Sequence, residues 1–351
     1  MRIVHTADVH LRRDRPERME ALEEVVQLAR EHRADLVVAG DLFDSEQESQ
    51  RLGSEVRPLF ESVPGRTLLV SGNHDRDAFR PGRDFGLRTT AVGGNEPTVV
   101  PGDGCRLIAQ PFTDRPFEAL APGLARLARG AEPALLILHC TLDFPDLDPS
   151  AFGEEGKRQY LPVSSGVLSE LGYRWILAGH FHSRFRVQAL SENSTFIYPG
   201  SPSSVTVREE GRRHVGLLDT STGQMERLPV DSFHYVRVRA TFRPGGEAQC
   251  LARLEDSLQR HSHSLAHTTL DLSGFTIWEE TRLRDKAAGL KEAFGADRMN
   301  FQVRGVSHLM DHPLYRKFMA GLEDSVPDQD QARHLEEVFL GILGDHVAAG
   351  R

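Results

Sequence analysis

Potential metal ligands recur along the first half of the sequence, in five short segments. They are Asp8-Val9-His10, Gly40-Asp41, Gly72-Asn73-His74-Asp75, Leu138-His139 and Gly179-His180-Phe181-His182. Carboxylate, amide and imidazole donors without a thiolate suit divalent ions such as Mn²⁺, Fe²⁺ or Zn²⁺. One ion would use only three or four of these side chains, so the surplus predicts two ions, with Asp41 as the shared ligand. Two ions about 3.5 to 4 Å apart stabilise both the entering and the leaving oxygen of a phosphoryl displacement.

Short buried strands are the elements that must position these side chains. Apolar runs precede the five segments, at residues 3–7, 36–39, 67–70, 135–138 and 175–178. An amphipathic stretch at residues 15–32 predicts a crossover helix, which a parallel pair of strands requires. Sites in open α/β sheets form at the carboxyl ends of strands, so the five segments are expected to converge. Each segment alone has a structural explanation, such as a helix cap for Asp41 or a core position for His139, but five coincidences together favour a site.

Length and composition exclude several classes of protein. The chain has 351 residues, 39% of them hydrophobic, and a formal net charge of −9. This composition is that of a folded globular protein, and the apolar runs are far shorter than the roughly 20 residues of a membrane span. Three widely spaced cysteines predict neither a disulfide framework nor a thiolate metal site, so a cytoplasmic location is expected. The negative balance argues against a broad nonspecific grip on nucleic acid.

A second unit is predicted after residue 230. Strand patterns at residues 235–242, 268–272 and 299–306 alternate with helical patterns at 248–259 and 278–294. This order predicts a small α+β domain at residues 231–306. Two further helices are predicted at residues 314–322 and 331–347, in a tail whose charged residues are mostly acidic.

The five segments, in this order, resemble the motifs of the calcineurin-like metallophosphoesterases. The matching residues are Asp8-x-His10, Gly40-Asp41-x-x-Asp44, Gly72-Asn73-His74-Asp75, His139 and Gly179-His180-x-His182. Within that superfamily, the opening letters HTADVHL, the phrase Ile197-Tyr198-Pro199-Gly200-Ser201-Pro202 and the small following domain are most similar to the SbcD-type, or YhaO-like, DNA repair nuclease subunit. The resemblance implies an α/β fold: a two-sheet α/β sandwich metallophosphoesterase domain at 1–230, a small α+β capping and DNA-binding domain at 231–306, and a helical C-terminal tail at 307–351.

The resemblance also implies roles for individual residues. It places one ion among Asp8, His10, Asp41 and His182, and the other among Asp41, Asn73, His139 and His180. His74 would remain off the metals, near the scissile phosphate, to stabilise or protonate the leaving oxygen. Asp75 would orient His74, with a solvated turn carboxylate as the alternative.

Three functions are compatible with this sequence. The favoured one, implied by the resemblance, is a Mn²⁺-dependent DNA exo- and endonuclease subunit that acts in double-strand-break repair, as a homodimer, with an SbcC-type coiled-coil ATPase. The second is a metallophosphatase or phosphodiesterase on small or protein substrates, and the third is a non-catalytic scaffold, disfavoured because the ligand set is complete.

The tail carries an apolar stripe with two interpretations. Its members are Leu335, Val338, Phe339, Ile342 and Leu343, at helical spacing. The stripe either packs on the chain's own second domain or docks in a groove of the ATPase partner.

Overall fold

The computed structural model describes residues 1–80, 82–143, 160–325 and 328–348. Contacts divide the chain into two compact units, Met1–Tyr235 and Val236–Arg351. The functions expected for residues 1–230, 231–306 and 307–351 remain predictions. Among the described residues, no helix has both the length and the apolar character needed to cross a membrane.

The first unit alternates strands and helices. Its strands are β1 (Arg2–Thr6), β2 (Asp35–Ala39), β3 (Thr67–Val70), β4 (Thr89–Val92), β5 (Thr98–Pro101), β6 (Arg106–Ala109), β7 (Ala134–His139), β8 (Thr141–Asp143), β9 (Pro162–Ser164), β10 (Trp175–Gly179), β11 (Arg186–Ser191), β12 (Ser194–Tyr198), β13 (His214–Asp219) and β14 (Gln224–Pro229). Its helices are α1 (Pro16–Glu31), α2 (Glu46–Ser62), α3 (Phe117–Ala128) and α4 (Ser165–Glu170).

Two six-stranded sheets form the centre of this unit. Their orders are β14-β13-β1-β2-β3-β4 and β11-β12-β10-β7-β6-β5, and β8 pairs with β9 apart from them. The strands that precede the five ligand segments are parallel neighbours: β1 with β2, β2 with β3, and β7 with β10. Their carboxyl ends therefore lie together at one edge of each sheet.

The two sheets pack face to face between layers of helix. Alternate residues of each strand point to opposite faces, so Ile3 packs between the sheets and Val4 packs against α1 and α2. In the other sheet, Ile137 lies between the sheets and Leu136 packs toward α3 and α4. The result is the predicted two-sheet α/β sandwich.

The second unit contains a three-stranded sheet with two helices on one face and the last helix against part of the other. Its elements are β15 (His234–Phe242), α5 (Glu247–His261), β16 (Ala266–Thr276), α6 (Glu280–Ala293), β17 (Arg298–Gly305), α7 (Ser307–Met310), α8 (Pro313–Ser325) and α9 (Gln329–Ala348). The sheet order is β15-β16-β17, with β16 and β17 parallel. Val238 and Leu270 share a core with Leu258 of α5 and Leu283 of α6. The other sheet face is polar at Asp271 and Asn300, whereas Phe275 on that face packs with the cluster of α9.

The apolar stripe of α9 is divided in the structure. Leu343 is buried and Phe339 packs beside it, in a cluster that includes Val306 and Leu309 of the same unit. Leu335, Val338 and Ile342 are instead exposed, Ile342 at 64%. One edge of the stripe belongs to the unit's own core, and the other edge remains a surface.

Candidate metal centre

The predicted ligands converge at the carboxyl ends of five strands of the first unit. Among the described residues, three groups have ligand atoms within 4.8 Å of one another: Asp8, His10 and His182; His10, Asp41 and His74; and Asp8, Asp41 and His139. His139 belongs to the end of β7, and the others follow β1, β2, β3 and β10 directly. Asp8 and His182, which are 174 positions apart in sequence, therefore meet in one site.

Asp41 lies at the centre of these groups. Its Oδ2 atom is 3.3 Å from His139 Nε2 and 3.7 Å from His10 Nε2. His10 Nε2 is in turn 3.0 Å from His182 Nε2, and His139 Nε2 is 3.0 Å from Asn73 Oδ1. This arrangement is what a carboxylate shared between two ions requires.

His180, like Asn73, is a predicted ligand that belongs to none of the three groups. Its backbone N–H donates to both carboxylate oxygens of Asp8, at 3.1 and 3.0 Å, and its ring centroid lies 5.5 Å from that of His139. The buried Nε2 atom of His180 has no hydrogen-bond partner among the described residues. A nitrogen lone pair buried without a partner is a position that a metal ion can satisfy.

Strained backbone marks the same residues. Asp8, His10, Asp41 and His180 have φ angles of 56°, 51°, 52° and 121°, in a region that residues other than glycine rarely adopt. Such conformations cost on the order of 1–3 kcal/mol each and cluster at functional sites, where the surrounding structure holds them.

Two motif glycines permit the close approach of the ligand loops. A Cβ atom on Gly72 would overlap the Asp41 carboxylate, and one on Gly40 would overlap the His139 ring. Gly40 also has a φ of 95°. These glycines therefore precede ligands because no side chain fits between the converging loops.

Burial and mutual charge set the protonation of the ligands. Burial alone would raise the pKa of Asp41, but His139 and His10 lower it below its usual range. Burial opposes the charging of His139, yet Asp41 and Asp8 raise its pKa to about 9. Burial and then the neighbouring His139 and His182 lower the pKa of His180 well below its ordinary value, which keeps that imidazole neutral and able to bind metal. A buried set of two carboxylates and several imidazoles, in which His139 would release its proton on binding metal, fits divalent cations.

His74 lies at the exposed mouth of this site. Its backbone N–H donates to Asp41 Oδ1 at 2.8 Å, and its Nδ1 atom is 3.1 Å from the carbonyl oxygen of Asp44. With Nδ1 engaged, Nε2 is the ring nitrogen that can exchange a proton with a substrate.

The Asp75 carboxylate braces loops and does not touch the His74 ring. Buried Asp75 accepts from the backbone N–H of Gly72 at 2.8 Å and of Phe43 at 3.2 Å, and among the described residues these are its hydrogen bonds. Burial, with the nearby Asp41 charge, raises the pKa of Asp75 to about 7. Asp75 therefore joins the loop after β2 to the loop that carries His74, instead of orienting the imidazole directly.

Two further carboxylates stand behind the histidine ligands. Asp44 Oδ1 is 3.2 Å from His10 Nδ1, and Glu209 Oε1 is 3.4 Å from His182 Nδ1. Asp44 appears in the sequence motif without an assigned role, and Glu209 was missed altogether because no spacing rule connects it with His182. His139 Nδ1 faces the carbonyl oxygen of Ala39 at 3.0 Å.

Three solved structures are similar to part of this chain at low sequence identity. The protein TT1561 of Thermus thermophilus is 17% identical, with a TM-score of 0.43 over 65% of this chain and 98% of that one. A 5'-nucleotidase precursor from the same organism is 17% identical, with a TM-score of 0.38 over 66% of this chain and 54% of that one. Pseudomonas putida nuclease MPE is 15% identical, with a TM-score of 0.29 over 64% of this chain and 87% of that one.

No curated protein matches the sequence. A family model described as calcineurin-like phosphoesterase matches residues 1–184, which is more than half of the 351 residues. This fold binds a dinuclear metal site, and the structure supplies candidate ligand clusters for one. The chain is therefore a member of the calcineurin-like phosphoesterase family, whose members hydrolyse phosphoester bonds.

Proposed function

We propose that this hydrolase is a Mn²⁺-dependent DNA exo- and endonuclease subunit of the SbcD type. The observation that carries the phosphodiesterase chemistry is the convergence of two carboxylates, an amide and four imidazoles on Asp41. The proposed setting, double-strand-break repair, rests on the resemblance of the motifs and of the small second domain.

The residues of the site have distinct roles in this proposal. One ion would be held by Asp8, His10, Asp41 and His182, and the other by Asp41, Asn73, His139 and His180. When bound, the two ions supply Lewis-acid stabilisation of the phosphoryl group and activation of water. His74 donates its Nδ1 proton to the Asp44 carbonyl oxygen, and as the imidazolium it would give its Nε2 proton to the leaving oxygen.

The arginines on the face of the second unit's sheet opposite α5 and α6 support nucleic acid as the substrate. Arg237 contacts Asp271, and Asp271 accepts from Asn300 at 2.7 Å, so these three side chains share the face opposite α5 and α6. By strand alternation, exposed Arg239 and Arg298 lie on that face too. Arginines grouped on one face of an otherwise acidic chain suit a phosphate backbone.

A substrate comparison tests this proposal. With Mn²⁺, the protein is expected to degrade single-stranded and duplex DNA and bis-p-nitrophenyl phosphate, to act poorly on p-nitrophenyl phosphate, and to lose all activity with a chelator. Rapid hydrolysis of monoesters or 5'-nucleotides with no attack on DNA would favour the rival function, a metallophosphatase or phosphodiesterase on small or protein substrates.

A pair of double variants isolates the DNA surface. Arg239→Ala with Arg298→Ala should weaken DNA binding and reduce the slope of log K against log[salt] by about 2, one per lost phosphate contact. The same variant should hydrolyse bis-p-nitrophenyl phosphate normally. Arg253→Ala with Arg260→Ala removes the same charge from the exposed side of α5 and should leave DNA binding unchanged. Equal effects of the two double variants would contradict a specific surface.

We also propose a homodimer and an SbcC-type coiled-coil ATPase as its partner. The exposed edge of α9, with Leu335, Val338 and Ile342, offers an apolar surface for a partner helix. Replacing Leu335 and Ile342 by serine should abolish binding of the ATPase while DNA hydrolysis by the isolated subunit continues. Light scattering that returns only monomer would contradict the homodimer.

A further inference from the structure

A buried glutamate in the loop after β12 faces the back of one proposed metal ligand. Glu209 is 2% exposed. Its Oε2 atom accepts from Val205 N at 2.7 Å and from Ser201 Oγ at 3.1 Å, and its Oε1 atom accepts from the N–H and hydroxyl of Thr206. The carboxylate is thus fixed by its own loop, in one orientation.

The same loop holds His182 by its backbone and by its ring. Arg213, which is buried, donates to the carbonyl oxygens of His182 and Ser183. Glu209 Oε1 lies 3.4 Å from Nδ1 of the His182 ring. The opposite ring nitrogen, Nε2, lies 3.8 Å from Asp8 Oδ1 and 3.0 Å from His10 Nε2.

We propose that Glu209 is a positioning residue of the metal centre. A carboxylate beside Nδ1 keeps the proton on that nitrogen and leaves the lone pair of Nε2 for a divalent cation. Asp44 stands in the same relation to His10, so both histidines of this ion have a carboxylate behind them. Glu209 lies beyond the residues that the family model matches, and it connects the β12–β13 loop with the metal centre. The inference rests on the proposed metal centre.

Bracing of the loop alone is the competing explanation. Oε2 already ties Ser201 to Val205, and Oε1 already binds Thr206, so a purely structural glutamate would need no histidine beside it. This explanation does not account for the short distance between Glu209 Oε1 and Nδ1 of the buried His182 ring.

The variant Glu209→Gln tests the proposal, because it keeps the shape of the side chain and removes its charge. Its Mn²⁺ affinity at one of the two ions should fall by about 10- to 100-fold, the range seen when such partners of metal ligands are lost. Calorimetric titration with MnCl₂ and the electron paramagnetic resonance signal of bound Mn²⁺ measure this. Glu210→Gln makes the same change at the next residue and should bind Mn²⁺ normally. Thr206→Val removes a loop hydrogen bond and keeps the carboxylate, so it should lower the melting temperature without a matching loss of affinity.

A second measurement uses the unmodified protein, so its outcome does not depend on whether a variant folds. In metal-free protein at mildly alkaline pH, two-bond ¹H–¹⁵N correlations should show the His182 ring protonated on Nδ1, with the signal assigned by its absence in His182→Gln. A proton on Nε2 alone would overturn the proposal. So would unchanged Mn²⁺ affinity in Glu209→Gln, or an equal loss of affinity in Thr206→Val. If the unmodified protein bound fewer than two Mn²⁺ ions, the proposed metal centre would fail instead.

Discussion

His5 makes the first unit sensitive to acid. It lies in β1, is fully buried, and shares a strand face with Ile3, which packs between the two sheets. Burial lowers the pKa of His5 to about 3, against a smaller raising effect of the Ala178 backbone. The imidazole is therefore neutral in the folded protein, whereas an exposed histidine titrates at about 6.5.

The sign and the size of the effect follow from linkage. The folded pKa of His5 is lower than the unfolded one, so the unfolded chain binds more protons between about pH 3 and pH 6.5. Stability that depends on neutral His5 is complete above that range and is lost as the pH falls through it. At about pH 4.5, two units below the unfolded pKa, the loss amounts to about 3 kcal/mol.

The variant His5→Leu removes this titration and keeps an apolar side chain in the layer. The difference in free energy of unfolding between His5→Leu and the unmodified protein should grow by about 3 kcal/mol, in favour of the variant, between about pH 7.5 and about pH 4.5. Urea titrations in the presence of EDTA, followed by the fluorescence of buried Trp175, measure it. Other titrating groups are common to both proteins and cancel. A difference that stays constant between the two pH values would refute the reasoning.

Three other experiments probe the site and the tail. Gly72→Ala should abolish Mn²⁺ binding because its Cβ atom would overlap the Asp41 carboxylate, whereas Gly53→Ala, which has open space around it, should bind Mn²⁺ normally in the same titration. His74→Ala should retain both ions by elemental analysis and lower turnover by about 10² to 10⁴, the usual contribution of a positioned acid or base; loss of metal would reassign it as a ligand. Leu340 is fully buried in α9, so Leu340→Ala should lower the free energy of unfolding, measured by thermal unfolding, by about 2–5 kcal/mol. Ile342 lies on the exposed edge, so Ile342→Ala should lower it by less than about 0.5 kcal/mol. Equal costs would show that the whole stripe is core.

The sequence predicted the strands that carry the ligands because those strands are buried on both sides. Residues 67–70 are β3 without a change of boundary, and residues 36–39 fall inside β2. Continuous apolar runs followed by glycine and a polar residue leave little ambiguity in parallel strands. The elements at the periphery have weaker patterns in the sequence. The strand β5, whose residues are exposed or half-buried, was not predicted. The helix α2, which contains Pro58, was not predicted either.

The proposed ligands have a local signal in the sequence that the groups behind them lack. Asp8 and Asp41 follow strands and His139 ends one, so local sequence could predict their positions. Glu209 reaches His182 only through the tertiary path of the β12–β13 loop, and such a contact has no local period. The hydrogen-bond partners of Asp75, Gly72 and Phe43, could not be predicted for the same reason, since they are set by how two loops meet.

The left-handed conformations at the strand ends mean that selection for activity and selection for stability oppose each other in this protein. At Asp8, Asp41 and His180, glycine would relieve backbone strain, yet it would remove a ligand. Libraries screened for thermal tolerance alone should therefore accumulate inactive variants at these positions, as expected where a fold bears a cost for its function. An engineering effort on this chain would keep the strand ends fixed and seek stability in the helical layers.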